Sequence, residues 1–196
     1  MLSGLQGSGK TTTATYLTHA LWASGRKAQR LKFADILYEM HNAIRGILRR
    51  CGADELKTID GPLLQLLGTE WGRKTRGEDI WVRCLLAAAT DYWQQQPDGA
   101  VIIDDCRFEN EHRAFMAMPE VAVTHVRLVA DRATRKARAE KWRENETHAS
   151  ETGLDGLDDS YFDIVADTSR DSTGDIVERI LDESFRPKAD RPQVTA

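Results

Sequence analysis

The run Gly4-Leu5-Gln6-Gly7-Ser8-Gly9-Lys10-Thr11 fits G-x-x-x-x-G-K-[ST] at every fixed position, and it constrains the fold more than any other feature of the chain. This spacing joins a strand to a helix through a loop whose glycines let successive backbone N–H groups turn inward around an anion. The residues of the cradle are Gln6, Gly7, Ser8, Gly9, Lys10, Thr11 and Thr12. Lys10 supplies a point charge near β- and γ-phosphates, and the Thr11 hydroxyl is placed to hold Mg²⁺. The helix starting near Lys10 adds its positive dipole end. A plain Gly/Ser turn before a helix is the competing reading; the Lys-Thr pair and the helical pattern behind it speak for the cradle. Only Met1, Leu2 and Ser3 precede Gly4, so the strand feeding the loop is either clipped or begins upstream.

Downstream, strand and helix patterns alternate. Lys10 to Ala23 reads as a helix stopped by Gly25, Ala28 to Phe33 as a strand, and Ala34 to Arg50 as a helix with apolar residues near a 3.6 period. Asp60-Gly61-Pro62 opens a helix to about Thr75, and Glu78-Asp79 opens another with Trp81, Leu85, Ala88 and Tyr92 on one face. Val101-Ile102-Ile103 is a continuous apolar run, the signature of a strand buried on both faces. Val121 to Val129 and Phe162 to Ala166 complete the strands, and a helix follows from about Gly174 to Glu183. The predicted fold is α/β, a three-layer sandwich around a parallel sheet of about five strands, with a helical lid. Residues 1–184 form the expected domain, with the lid near 130–150, and 185–196 a frayed tail. Ligands of such sheets sit at the carboxyl ends of the strands. Four segments converge there: the Gly-rich loop, Ala34-Asp35, Asp104 to Arg107, and the region after Val129.

A length of 196 residues is enough to bury a sizeable core. The net charge of −4 gives no global sign of a nucleic-acid or membrane binder. No apolar run approaches transmembrane length and no signal peptide precedes the loop, so the cytoplasm is the expected compartment. Cys51, Cys84 and Cys106 form no C-x-x-C pair, so neither a zinc site nor a disulfide framework is indicated. Against this acidic background, residues 132–143 carry Arg132, Arg135, Lys136, Arg138, Lys141 and Arg143. Arg132 and Arg135 share a stripe with Lys136 and Arg143 that would close over a polyphosphate and neutralise its charge. The alternative is an exposed amphipathic helix paired with Glu140, Glu144 and Glu146.

The strand-end carboxylates Asp104 and Asp105 stand where a Mg²⁺ ligand belongs, and strand alternation lets only one of them face the metal. A solvated strand-end cap is the plainer possibility. Arg107 can grip a phosphate with a two-pronged fork, or pair with Glu109 or Glu111. Gln65, Thr69, Arg73 and Arg76 form a polar helix stripe, which by spacing alone is a solvated face. His148 by itself reads as a hydrogen-bonded surface residue. The five tryptophans fit core positions better than stacking platforms.

Several segments together resemble one family, the bacteriophage-type deoxynucleoside monophosphate kinases, which belong to the P-loop nucleoside and nucleotide kinases. They are the Gly-rich loop, Leu31-Lys32-Phe33-Ala34-Asp35, Leu64-Gln65-Leu66-Leu67-Gly68-Thr69-Glu70 with Gly72-Arg73, and Asp79-Ile80-Trp81-Val82. To these add Asp105-Cys106-Arg107-Phe108-Glu109-Asn110-Glu111 and His148-Ala149-Ser150-Glu151. The resemblance spans the chain to about residue 180. It implies transfer of the ATP γ-phosphate to a deoxynucleoside 5′-monophosphate, in DNA precursor supply, with ATP and Mg²⁺ as cofactors and small nucleotides as partners. A homodimer is left open, and a host cytoplasm is implied if the chain is phage-encoded. By position, Lys10, Arg107, Arg132 and Arg135 become catalytic and Thr11 with Asp105 the metal pair. Phe33, Asp35, Gln65, Arg73, Trp81, Asp105, Arg107 and Glu111 fall on the acceptor side. Ala166-Asp167-Thr168 stands where the family has Asn followed by Gly, a departure beside the adenine pocket. The residues alone also admit a kinase of another small acceptor, such as dephospho-coenzyme A, or a nucleotide-binding switch acting on a protein.

Overall fold

The computed structural model describes residues 1–53, 59–139, 142, 153–154 and 156–186. Five parallel strands alternate with helices: β1 (Leu2–Ser3), α1 (Lys10–Ala23), β2 (Ala28–Leu31), α2 (Asp35–Arg50), α3 (Gly61–Gln65), α4 (Ile80–Gln95), β3 (Ala100–Ile103), α5 (Glu109–Met116), β4 (Val126–Val129), α6 (Arg132–Arg138), β5 (Ile164–Asp167) and α7 (Thr173–Phe185). The strands form two ladders, β1-β4-β5 and β2-β3, with Leu2 opposite Val126, Val126 opposite Ile164 and Ala28 opposite Ala100.

The pleat of β3 shows how the layers arise. Ala100 and Ile102 face α1 and α7, where Leu17, Leu21, Ile176 and Ile180 form one core layer. Val101 and Ile103 face α4 and α5, where Val82, Leu85, Ala89 and Phe115 form the other. A period of two on a strand covered by helices on both sides requires apolar residues at every position. The α/β sandwich expected from the sequence is therefore present.

Several boundaries differ from expectation, each for a tertiary reason. The strand expected over Val121–Val129 is regular only from Val126, because its partner β1 offers just Leu2 and Ser3. The helix expected to about Thr75 is α-helical only over Gly61–Gln65 and continues as a π-helix, Leu66–Arg76. Gly68 and Gly72 leave one side of that segment bare. The Trp81 ring occupies the space where a Gly72 side chain would stand, and its indole N–H donates to the Gly68 carbonyl (2.8 Å). The α5 helix escaped pattern reading because it buries Glu111 and His112 alongside Phe115, which erases the apolar period. Within the basic segment, α6 is the helix among the described residues. Glu140, Lys141, Arg143, Glu144, Glu146, His148, Glu151 and the tail from 187 lie outside them. No helix among the described residues is long and apolar enough to cross a membrane.

Candidate active site

The Gly-rich loop leaves β1 and enters α1 through backbone that other residues reach only under strain: Gly7 has φ 78° and Gly9, the N-cap of α1, φ 89°. At Gly7 a side chain would also overlap the Arg135 carbonyl, so the glycine lets α6 lie directly on the loop. Lys10 is buried, and its Nζ donates to the carbonyls of Gly4 (2.7 Å) and Leu5 (2.9 Å). Thr11 and Thr12 are exposed at the start of α1. Ser8 Oγ is buried with no hydrogen-bond partner. It lines a cavity of about 170 Å³ beside Gly4 and Leu5, shared with Arg107, Arg127 and Arg135. An orphaned hydroxyl and three arginines give this cavity a hydrogen-bonding, cationic lining of the kind that suits an anion.

Beyond β3, the paired carboxylates separate as the pleat requires. Asp104 lies on the α1 side, where Oδ2 pairs with Arg30 (2.7 Å), itself bonded to Thr15 of α1 (3.1 Å). Its Oδ1 is buried without a partner. Asp105 turns the other way and accepts from the backbone N–H groups of Phe33 (2.9 Å) and Ala34 (3.0 Å). It thereby fixes the approach to α2, whose N-cap, Ala34, has no side chain to do so. Burial raises the pKa of Asp105 to about 6, despite those two hydrogen bonds. Asp35 accepts from the Lys32 N–H (2.8 Å) and is exposed, while Phe33 is buried against Phe115. Mg²⁺ takes few protein ligands beside phosphate and water; the exposed Thr11 hydroxyl at the start of α1 and the Asp104 Oδ1, which has no hydrogen-bond partner, are hard oxygens of the kind it takes.

Glu111 organises the adjoining loop. One carboxylate oxygen accepts from the backbone N–H groups of Arg107 (2.7 Å) and Phe108 (3.1 Å). The other pairs with Arg73 at 2.7 Å. Burial lifts the Glu111 pKa to about 7, with the Arg107 and Phe108 N–H groups and the Arg73 charge pulling the other way. The Arg73 guanidinium also lies 4.1 Å over the Phe108 ring. The side chain of Arg107 itself points to the cradle, donating to the Gly4 carbonyl (3.3 Å), rather than pairing with Glu109, which holds Arg113. Gln65 is exposed on α3. Trp81 is buried, so its part is to hold the π-helix.

The α6 helix closes the opposite side. Its N-cap Asp131 accepts from the Thr134 N–H (2.9 Å). Arg135 is buried and donates to the carbonyls of Ala130 (3.2 Å) and Gln6 (3.3 Å). The guanidinium groups of Arg132 and Arg135 lie over the Trp142 ring at 5.6 and 5.5 Å. An exposed amphipathic helix would not bury Arg135, so α6 packs on the loop. Arg138 extends this contact to Thr168 (2.9 and 2.8 Å), whose hydroxyl reaches the Ser8 carbonyl (3.2 Å).

Among solved structures, the chain is similar to the APS kinase CysC of Mycobacterium tuberculosis, in complex with AMPPNP and APS. The TM-score is 0.55 at 16% identity, covering 92% of this chain and 93% of that one. An unliganded sugar kinase from Janibacter sp. HTCC2649 gives 0.53 at 18% identity, covering 92% and 90%. This chain has the P-loop kinase fold. No family model and no curated protein matches the sequence.

Within the P-loop kinase fold, some contributors have a role that the sequence did not assign. Phe108 beneath Arg73 and Arg30 beside Asp104 are visible only once β2, β3 and the π-helix meet. Thr168 stood out in the sequence as a departure, and the structure places it against the P-loop. The assembled site has the Gly-rich loop under α6 and, across Arg107, a second cationic group at Arg73.

Proposed function

We propose that the chain is a deoxynucleoside monophosphate kinase that moves the ATP γ-phosphate to a deoxynucleoside 5′-monophosphate in DNA precursor supply. The observation that carries this reading is the position of Arg107. Its guanidinium touches the P-loop, and its backbone is held by Glu111, which also holds Arg73. One residue thus links a donor cradle to an acceptor-side cation, as transfer between two anionic phosphates requires.

In this mechanism the P-loop amides and Lys10 receive the β- and γ-phosphates, with Lys10 exchanging its carbonyl partners for phosphate oxygens. Arg73 grips the acceptor monophosphate while Gln65 and Phe33 line its nucleoside side. An acceptor phosphate oxygen bonds the γ-phosphorus as the bond from that phosphorus to the β-phosphate oxygen breaks, releasing ADP. Arg107, Arg132 and Arg135 spread the charge on the transferring group, and α6 excludes water. Thr11 and the free oxygen of Asp104 would hold Mg²⁺, which supplies charge neutralisation between the phosphates. Asp105 serves the acceptor side by fixing Phe33 and Ala34. The family resemblance gives the metal position to Asp105; our reading gives it to Asp104, because both Asp105 oxygens accept from backbone N–H groups while Asp104 Oδ1 has no partner.

A coupled ADP-release assay tests this against deoxy- and ribonucleoside monophosphates, dephospho-coenzyme A and APS, with Lys10→Ala as the folded, inactive control. Turnover that depends on a deoxynucleoside monophosphate is expected. Preference for another acceptor, or slow hydrolysis indifferent to any acceptor, would overturn it.

A further inference from the structure

The α2 helix carries more apolar surface than its neighbours cover. Its inward face is Leu37, His41, Ile44 and Leu48, spaced as one side of a helix requires. Leu37 fills the bare side of Gly68 on the π-helix, and His41 accepts from the Asp60 N–H (3.2 Å) ahead of α3. Of the 16 residues of α2, only His41 is buried. Beside that face runs a second apolar row with the same spacing: Ile36, Met40, Ala43 and Ile47. Ala43 is exposed and Ile47 is 51% exposed, while Ile36 and Met40 are half-buried. Single exposed apolar residues are ordinary on a protein surface. A row of four in the spacing of a coiled-coil seam is a prepared contact. The outer edge of the row carries Glu39 and Arg50, about 20° apart around the helix. Both are exposed, and no ion pair among the described residues engages either. The helix dipole favours acid at the start and base at the end, but it does not call for both on one edge of one apolar row.

We infer that this row is the seam of a homodimer, in which α2 packs antiparallel on α2 of a second copy about a two-fold axis at Ala43. The charge pattern selects this occupant. A two-fold contact sets each residue against the one equally far beyond the axis. Glu39 stands about 6 Å before Ala43 along the helix, and Arg50 about 10 Å after it. Reversing the partner helix brings its copy of Arg50 to within about 5 Å of Glu39 along the axis, a gap the long guanidinium side chain spans. The two-fold keeps both groups on one side of the seam, so the pair forms twice. Parallel pairing in register levels each charge with its own kind and leaves both without a countercharge. At the centre Ala43 meets Ala43, and Gly46 comes opposite Met40, so the backbones can approach closely. A helix of 16 residues is about 24 Å long. Two of them bury less than the roughly 1,200 Å² of a standard interface, so the dimer is reversible, with a Kd on the order of 10–100 µM. This inference is independent of the proposed kinase activity.

Sedimentation of the full-length chain from roughly 5 to 500 µM tests it, with thermal unfolding to show that each variant stays folded. The unaltered chain is expected to pass from monomer to dimer over that range. Ile47→Asp places a carboxylate in the seam and should leave a monomer throughout. Glu39→Arg and Arg50→Glu each set like charges against each other twice, and each should weaken the dimer at least about fivefold. The two together restore opposite charges and should return the Kd to within about twofold of the original. A chain that stays monomeric at about 500 µM, including one whose α2 binds some other protein, overturns the inference. So does a dimer indifferent to Ile47→Asp, or a double charge reversal no tighter than the single ones.

Discussion

Replacing Arg73 by alanine strips Glu111 of its countercharge in a place where water cannot substitute. The pair meets at 2.7 Å, with the Arg73 and Glu111 side chains 17% and 1% exposed. Breaking a buried pair by removing one partner costs about 3–5 kcal/mol. The lower end applies, because Arg107 and Phe108 still donate two N–H groups to the carboxylate and because a proton can replace the lost charge. For a chain of this size, about 3 kcal/mol corresponds to a fall in Tm of roughly 6–12 °C. The sign of the pH dependence follows from the acid. Burial already holds the Glu111 pKa at about 7 with Arg73 present, and losing Arg73 drives it higher. A raised carboxyl contributes stability that is present below its unfolded pKa and lost as pH rises through the folded value. The penalty of Arg73→Ala is therefore small at pH 5.5, where Glu111 is protonated, and grows as pH rises above 7, so that it is plainly larger at pH 8. Thermal unfolding at both values, with Glu111→Gln and the double variant, closes the cycle. The double variant should be more stable than Arg73→Ala alone at pH 8. An equal Tm loss at both pH values would refute the reasoning, as would a double variant no better than the single.

Two further outcomes are expected. Gly7→Ala forces a side chain into left-handed backbone and into the Arg135 carbonyl. It should destabilise by at least about 1–2 kcal/mol from the backbone alone and weaken ATP-analogue binding, measured by calorimetry; unchanged affinity would remove α6 from the cradle. Asp104→Asn should lower kcat roughly 10–100-fold and raise the Mg²⁺ requirement, whereas Asp105→Asn should chiefly raise the acceptor KM. The reverse pattern in steady-state kinetics would return the metal to Asp105.

How much of the site can be read in advance depends on the range of the contacts that make it. The cradle from Gly4 to Thr11 is legible because its chemistry is local: glycine backbone freedom, a helix start and one lysine suffice. Asp104-Asp105 and Arg107 are legible as a cluster, since a buried strand must end at the ligand edge of a parallel sheet. Which carboxylate does what is not, because the answer lies in Arg30, Phe33 and Ala34 on the neighbouring strand and loop. The polar stripe from Gln65 to Arg76 assumed an α-helical period, and the Trp81 ring seated on Gly68 and Gly72 changed that period.

The amino-acid sequence by itself determined the alternation of strands and helices apart from α5, the layers on either side of the apolar run at Val101–Ile103, and the Gly-rich loop, since each follows from periodicity or backbone chemistry within a few residues. Only the tertiary structure decided that Glu111 would bind Arg73 and the Arg107 backbone together, and that Arg135 would be buried on the P-loop. Those outcomes depend on which charges are desolvated together and which backbone edges meet, and both are properties of packing between elements distant in the chain.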